Sequence, residues 1–373
     1  MNTFHPDFLG EVARRVGIKP HPSCRQFVVQ HLYEDTLRLL LTSHQFFPID
    51  VVIGISYSGK KQVVKALQDH GIRVLTPGFH ELEATIQTEL KDSLERCRQA
   101  DHQLLLHEVG GYAITCFHNH YREYSNSVRG SVEITKQGVW AAQRIDDLLI
   151  PQLNCAETRL KEIEGDYVGD AVVLSLDTIL REIGYAIAGR LALVNGYGWV
   201  GRGVCRSLRA KNVVVAAHDV DVIKKVALKL DGFLLQDELD SFDRASIVIG
   251  ASGVCSITPE VIDRLSDRTI LVSASSKKIE IDLDYLHTQA QWTEFVHPHV
   301  QAYHLPNRIL YLVNQGYPVN FVGSSVPDEI VEFLFAEALI LLEQLVSNDF
   351  PPGTFLLSSE LEEIPAQVWL DLR

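Results

Sequence analysis

Three glycines and one aspartate carry the clearest chemistry in this chain of 373 residues. An apolar run, LALVNGYGWVG, breaks on Gly196-x-Gly198-x-x-Gly201 and continues into the helix-like VCRSLRAK. A second apolar run over 213–217 then leads to Asp219. Gly196 permits a tight turn, Gly198 lets the backbone approach a pyrophosphate, and Gly201 lets helix and strand pack closely. The helix start offers free N–H groups to the anion. Asp219 would accept hydrogen bonds from a ribose diol and repel a 2′-phosphate, so the unit reads as a site for NAD rather than NADP.

Other residues invite chemistry with less support from their spacing. Ser56-Tyr57-Ser58-Gly59-Lys60 follows an apolar strand and opens a helix, so Ser56 and Ser58 are candidates for binding a carboxylate or phosphate of a substrate. Serine and glycine are also ordinary helix caps, and the turn is not a Walker motif. Cys116-x-His118-x-His120 has good zinc donors at a spacing unsuited to a closed site, so no metal is expected and His118 reads as a structural or substrate-side residue. Lys161 stands among Arg159, Glu162 and Glu164, the setting of a solvated surface charge.

These residues need elements to hold them. With 46% apolar residues the chain supports real cores and two domains of ordinary size. Its formal charge of −14 argues against a nucleic-acid or anionic-membrane surface. Six scattered cysteines without a Cys-x-x-Cys suit reduced thiols, and no apolar run is long enough to span a bilayer, so a soluble, cytoplasmic protein is expected.

Periodicity predicts a helix over 35–41, a strand over 50–55, a helix over 60–70, strands over 72–75 and 103–107, and a helix over 82–99. Long helices are expected over 134–149 and 175–188. Strands at 191–194, 213–217, 233–235, 246–249, 269–273 and 309–313 alternate with helices as a doubly wound parallel sheet requires. An apolar helix over 330–346 is expected to return to the first domain. The expected architecture is α/β: a Rossmann NAD domain over 187–317 and a discontinuous α/β substrate domain over 1–186 plus 318–373, with hinges near Ala188 and Gly316 bounding the cleft that holds the site.

The residues around the glycines resemble more than a generic fold. AGRLALVNGYGWVGRGVCRSLRA is similar to the NAD-binding segment of S-adenosylhomocysteine hydrolases, and the likeness extends through VVVAAHDVD, IVIGASGV and LVSASSKKIEIDLDYL. Upstream, HEVGG, RGSVEITKQGV and PQLNCAETRLKEIEGDYVG keep the family's order; downstream, LYLVNQG resembles its nicotinamide-side strand. The resemblance implies an enzyme that uses tightly held NAD to oxidise a nucleoside 3′-hydroxyl, which acidifies the neighbouring 4′-hydrogen for elimination of homocysteine and addition of water. It implies that Gly196, Gly198, Trp199, Val200 and Gly201 hold the pyrophosphate, Asp219 the adenosine ribose, and Thr135, Ser252, Gly253, Ser273 and Asn314 other parts of the cofactor. Lys161 falls on or within a short slip of the family's active-site lysine, although one register puts Arg159 there, and Asp166 is a second candidate to orient or acidify that site. A small-molecule substrate and a homo-oligomer, dimer or tetramer, are also implied.

The departures from the family pattern are equally specific. Its histidine before IEID is lost in Ser275-Ser276-Lys277-Lys278, its Gly-His-Pro has become Asn320-Phe321-Val322, and its histidine loop reads Ser56-Tyr57-Ser58. One of its paired glutamates is Ile134 beside Glu133, its aspartate before the double glycine is Val109 beside Glu108, and its C-terminal Lys/Tyr tail has no counterpart in EEIPAQVWLDLR. A one-residue shift would restore Glu108 or Glu133 as acid/base groups. Ser276, Lys277 and Lys278 occupy a loop expected to face the nicotinamide, as substrate-anion contacts or with the lysines as a solvated pair. The expected function is NAD-dependent oxidation of a secondary hydroxyl on a small, nucleoside-like substrate, transiently or as the net reaction. Thioether hydrolysis with relocated residues and a non-catalytic NAD-binding regulator are the alternatives.

Overall fold

The computed structural model describes residues 7–236, 242–323 and 325–373. Along the chain run α1 (Phe8–Val16), β1 (Cys24–Leu32), α2 (Glu34–Phe46), β2 (Ile49–Gly59), α3 (Lys61–Asp69), β3 (Val74–Leu75), α4 (Leu82–Ala100), β4 (Gln103–Glu108), α5 (Tyr112–His120), β5 (Val128–Glu133), α6 (Lys136–Gln143), β6 (Pro151–Asn154) and α7 (Arg159–Glu182). There follow β7 (Leu191–Asn195), α8 (Trp199–Ala210), β8 (Val214–His218), α9 (Val222–Leu230), β9 (Leu234–Leu235), β10 (Ile247–Gly250), α10 (Pro259–Arg264), β11 (Thr269–Ser273), α11 (Leu283–Gln289), β12 (Trp292–His297), β13 (Val300–Leu305), β14 (Arg308–Val313), α12 (Asp328–Ser347), β15 (Gly353–Leu356) and α13 (Ser359–Leu372).

The chain divides into two units, Met1–Glu162 with Asp328–Arg373, and Ile163–Pro327. The first is built on a seven-stranded sheet in the order β15-β6-β5-β4-β1-β2-β3, parallel throughout. Its central strands are near-continuous apolar runs because helices cover both faces. Helix α12, apolar almost all round, packs on α1, α2, β5 and β6, so the C-terminal segment completes this unit as the apolar pattern over 330–346 predicts.

The second unit carries an eight-stranded sheet, β12-β13-β14-β11-β10-β7-β8-β9. From β14 to β9 it is parallel, and taking those six strands in chain order gives the 3-2-1-4-5-6 arrangement of a doubly wound dinucleotide fold. Its switch point lies between β7 and β10, where ligands of such sheets bind outside the carboxyl ends. The antiparallel β12–β13 pair extends the β14 edge.

Three expectations fail for physical reasons. The helix expected over 134–149 is only α6, because the Glu133 carboxylate takes the Ile134 and Thr135 N–H groups and Thr135, held extended, becomes the cap. The helix expected over 175–188 begins sixteen residues earlier, at Arg159, and runs unbroken to Glu182. Its glycines serve close packing: a Cβ on Gly165 would lie 2.7 Å from the Trp199 Cβ, and one on Gly169 would lie 2.4 Å from the Gly203 carbonyl carbon. The turn expected at Ser56–Gly59 is strand, because β2 continues until Gly59 pairs with Leu32.

Candidate functional site: a dinucleotide cradle

Strand β7 ends at Asn195 and the chain turns at Gly196, whose φ of +108° only glycine adopts freely and whose Cβ would lie 2.4 Å from the Ala251 carbonyl oxygen. Gly201, in the first turn of α8, would place a Cβ 2.0 Å from the Gly196 carbonyl oxygen. Gly198 differs from both, since among the described residues nothing lies within 4 Å of where its Cβ would be. It is the extended N-cap of α8, and no side chain caps that end. Two glycines thus serve the protein's own packing, and the third keeps space open before a helix start that favours anions. Trp199 and Val200 form the first turn of α8, with Val200 against the core of the unit.

Asp219 follows the last residue of β8 and is almost fully buried. Its Oδ2 accepts the Tyr197 N–H at 2.7 Å and its Oδ1 the Asp221 N–H at 2.9 Å, with the Lys224 ammonium at 3.5 Å. Burial pushes this carboxyl up, but the two N–H groups and the lysine outweigh it and hold the group below the usual carboxylate range. An ionised carboxylate therefore pins the glycine turn and keeps lone pairs for further donors.

Across the switch point, the ends of β10 and β11 are organised by one buried glutamate. Glu280 accepts the Ser252 N–H at 2.7 Å, the Gly253 N–H at 2.6 Å and the hydroxyls of Ser252, Ser256 and Ser275. Ser273 closes β11 and bridges to Pro318. Asn314 follows β14 and begins a left-handed run, with φ of 49° there, 53° at Gln315 and 85° at Gly316; its Nδ2 donates to the Pro318 carbonyl at 3.1 Å. Asp166 lies on α7, paired with Arg206 of α8 at 2.9 Å.

The first unit holds the other candidates. Lys161, half-buried in the first turn of α7, donates its N–H to the Thr158 hydroxyl at 3.2 Å. Thr158 also donates to Glu337 Oε2 at 3.1 Å, while among the described residues Glu337 Oε1 meets no N–H or O–H donor and the Cys155 thiol is the other group against this carboxyl. Burial pushes Glu337 up to about 8, the Thr158 hydroxyl and the Lys161 charge countering only in part. Sequence reasoning missed Glu337; the available signal was an acid in the middle of an otherwise apolar helix.

Glu108 and Glu133 face each other in register on β4 and β5, both fully buried. Glu108 accepts the Ala113 and Ile114 N–H groups at the start of α5 and the Ser131 hydroxyl. Glu133 accepts N–H groups from Gly110, Gly111, Ile134 and Thr135 and the Thr135 hydroxyl at 2.7 Å. Burial raises both carboxyls, and the Glu133 charge raises Glu108 further, so the pair retains a proton well above the usual carboxylate range. Thr135 Oγ1 further accepts the Gly138 N–H as the cap of α6. Ser58 donates to the Ile55 carbonyl and contacts His31, and the Ser56 hydroxyl is buried without a partner. His118 is held at both nitrogens, by the Ile114 carbonyl at 2.7 Å and the Leu149 N–H at 3.0 Å, which fixes it neutral; burial lowers its pKa. Among the described residues no three His, Cys, Asp or Glu side chains cluster to hold a metal, and no helix is long and apolar enough to cross a membrane.

Residues 171–326 match the family model of the NAD-binding domain of S-adenosyl-L-homocysteine hydrolase. The adenosylhomocysteinase of Thermotoga maritima is 26% identical over 350 residues, 91% of this chain and 85% of that one. Over most of its length the chain is similar to adenosylhomocysteinases. The S-inosyl-L-homocysteine hydrolase of Methanopyrus kandleri is also 26% identical, over 84% of this chain and 74% of its own. A phosphoglycerate oxidoreductase from Vibrio cholerae o395 superposes with a TM-score of 0.52 at 10% identity, covering 88% of this chain and 99% of that one, a likeness of fold alone.

NAD is the cofactor of this adenosylhomocysteinase domain, and the geometry fits it: open space over Gly198, an uncapped α8 start and an ionised Asp219 stand together at the switch point. Asn320 is buried, its Oδ1 without a hydrogen-bond partner among the described residues and its Nδ2 donating to Ser325.

Proposed function

We propose that this chain is an NAD-dependent enzyme that oxidises a secondary hydroxyl of a small, nucleoside-like substrate, either transiently within a longer cycle or as the net reaction. The single observation that carries this reading is the Gly198 position, where the protein leaves a Cβ-sized space unfilled before an uncapped helix end. Bound NAD supplies the hydride acceptor.

The chain's own residues supply the rest. The amides at the start of α8 hold the pyrophosphate, Asp219 takes the adenosine ribose hydroxyls, and Ser252, Gly253, Ser273 and Asn314 line the nicotinamide side. Lys161 accepts the proton of the hydroxyl being oxidised, its main-chain N–H held by the Thr158 hydroxyl that also meets Glu337. Glu108, Glu133 and Thr135 act as acceptors for backbone N–H groups and shape α5 and α6. That assignment favours oxidation without the elimination and hydration steps, for which a positioned acid or base supplies typically about 10²–10⁴-fold in rate.

The test is to incubate purified protein with nucleosides and with adenosylhomocysteine while following the reduced-nicotinamide absorbance and free homocysteine. Reduction of bound cofactor without thiol release is expected, and Lys161→Ala abolishes it while NAD content is retained. Homocysteine release would establish the hydrolytic alternative. A silent spectrum with every substrate would leave a regulator that only binds NAD.

A further inference from the structure

Lys278 lies in the loop that leaves the carboxyl end of β11, on the side of the switch point opposite Asp219. Asp219 marks the adenosine half of the dinucleotide beyond β8, so the nicotinamide half extends over β10, β11 and β14. The loop is tightly determined. Ser275 is bound to Glu280, Lys277 holds a left-handed φ of 69°, and Ser273 bridges to Pro318. Facing it, Asn314, Gln315 and Gly316 form three successive left-handed residues, a conformation that costs energy at non-glycine positions and concentrates at functional sites. A Cβ on Gly316 would lie 3.5 Å from Lys278 Cε, so the lysine stem packs directly on that run.

Among the described residues, the charge at the end of that stem has no counter-ion. Lys278 is half-buried, its ammonium stands 5.1 Å from the centre of the Tyr317 ring, and among the described residues no carboxylate lies within ion-pair distance of it. Asp282, the N-cap of the following helix, accepts the Tyr285 N–H at 2.9 Å. Asp284 acts only from a distance, and burial pulls the lysine below its usual pKa. A half-buried cation without a counter-ion is costly, and an aromatic face offsets that cost only in part. The same chain pairs lysine well elsewhere: Lys211 sits 3.1 Å from Asp177 and Lys60 3.0 Å from Glu34.

We propose that Lys278 is a specificity-determining residue that holds an anionic oxygen group, carboxylate or phosphate, on the alcohol being oxidised. The proposal rests on the NAD-dependent reading above and narrows its substrate class to alcohols that carry such a group. Lys278 meets it by a charge-assisted hydrogen bond, with the Tyr317 ring behind the ammonium to fix its direction.

The test uses matched neutral and anionic probes, lactamide against lactate for the carboxylate arm and adenosine against adenosine 5′-monophosphate for the phosphate arm. Dissociation constants are measured by calorimetry on the full chain, and NAD content is measured in parallel after denaturation. In the wild type the anionic member of at least one pair binds about 10-fold or more tightly, the size of one charge-assisted contact. Lys278→Gln removes that preference, Lys278→Arg keeps it, and both retain the wild-type NAD content. Equal binding within both pairs, no binding by either anion, or a preference that survives Lys278→Gln overturns the proposal. Absence of NAD from every variant would instead defeat the redox reading, while the calorimetric preference still reports on Lys278.

Discussion

Glu337 shows how one side chain can be both costly and informative. Its folded pKa of about 8 stands above the 4.5 of an exposed glutamate, so the folded state binds a proton that the unfolded state releases. Stability contributed by that proton is complete below pH 4.5 and is lost progressively as pH rises to about 8, at up to ~1.4 kcal/mol per unit. Glu337→Gln keeps the Thr158 contact and removes the titration. Urea unfolding between pH 5 and 8, on the order of the window just given, should show the wild type losing stability relative to Glu337→Gln as pH rises; parallel curves would mean that the carboxyl is ionised in the fold. The same logic separates Glu337 from Asp219, whose N–H donors hold it ionised throughout this range.

At the level of elements, the fold depends on glycines where helices meet. Gly169 of α7 and Gly203 of α8 let two backbones touch, and a Cβ on Gly203 would fall 2.6 Å from the Asp166 carbonyl oxygen. Neither neighbour is a flexible side-chain tip, so the helices must separate to admit any larger residue. Gly169→Leu should therefore cost about 2 kcal/mol or more in denaturant unfolding, the upper part of the range for overpacking. A change under ~0.5 kcal/mol would contradict the contact. This contact also explains what the sequence could not show. Strand β7, the glycine turn, α8 and β8 were legible because each step is local: apolar run, turn residues, helix, apolar run. The full length of helix α7 is hard to see in sequence because Gly165 and Gly169 resemble breakers until their partners Trp199 and Gly203 are known. The stop before α6 was hidden because it is made by the Glu133 side chain rather than by a proline or glycine. Strand β12 gave no signal, since its residues are almost all exposed and no alternation marks a buried face.

For the molecule as a whole, the two units differ in how much of their chemistry the sequence reveals. The second keeps the switch point, the glycine turn and the acid after β8, all readable as a motif because cofactor geometry fixes their spacing. In the first, Lys161 was legible only through family resemblance, and its neighbour Glu337 lies 176 residues further along the chain, so no local pattern could join them. The N–H-binding work of Glu108 and Glu133 was equally invisible, because a buried acceptor and an acid/base carboxylate are the same letter in a sequence.

The central claim is that the second unit binds NAD across the glycine turn, and calorimetric titration of NAD into wild type and Gly198→Val tests it most directly. No atom stands near the Gly198 Cβ position, and its backbone is extended, so valine should leave thermal unfolding of the free protein unchanged while filling the pyrophosphate space. The expected result is stoichiometric NAD binding by the wild type and at least about 100-fold weaker binding by the variant, a loss of ~2.7 kcal/mol. Equal affinity in the two proteins, or no binding by the wild type after any resident cofactor is stripped, would contradict the account.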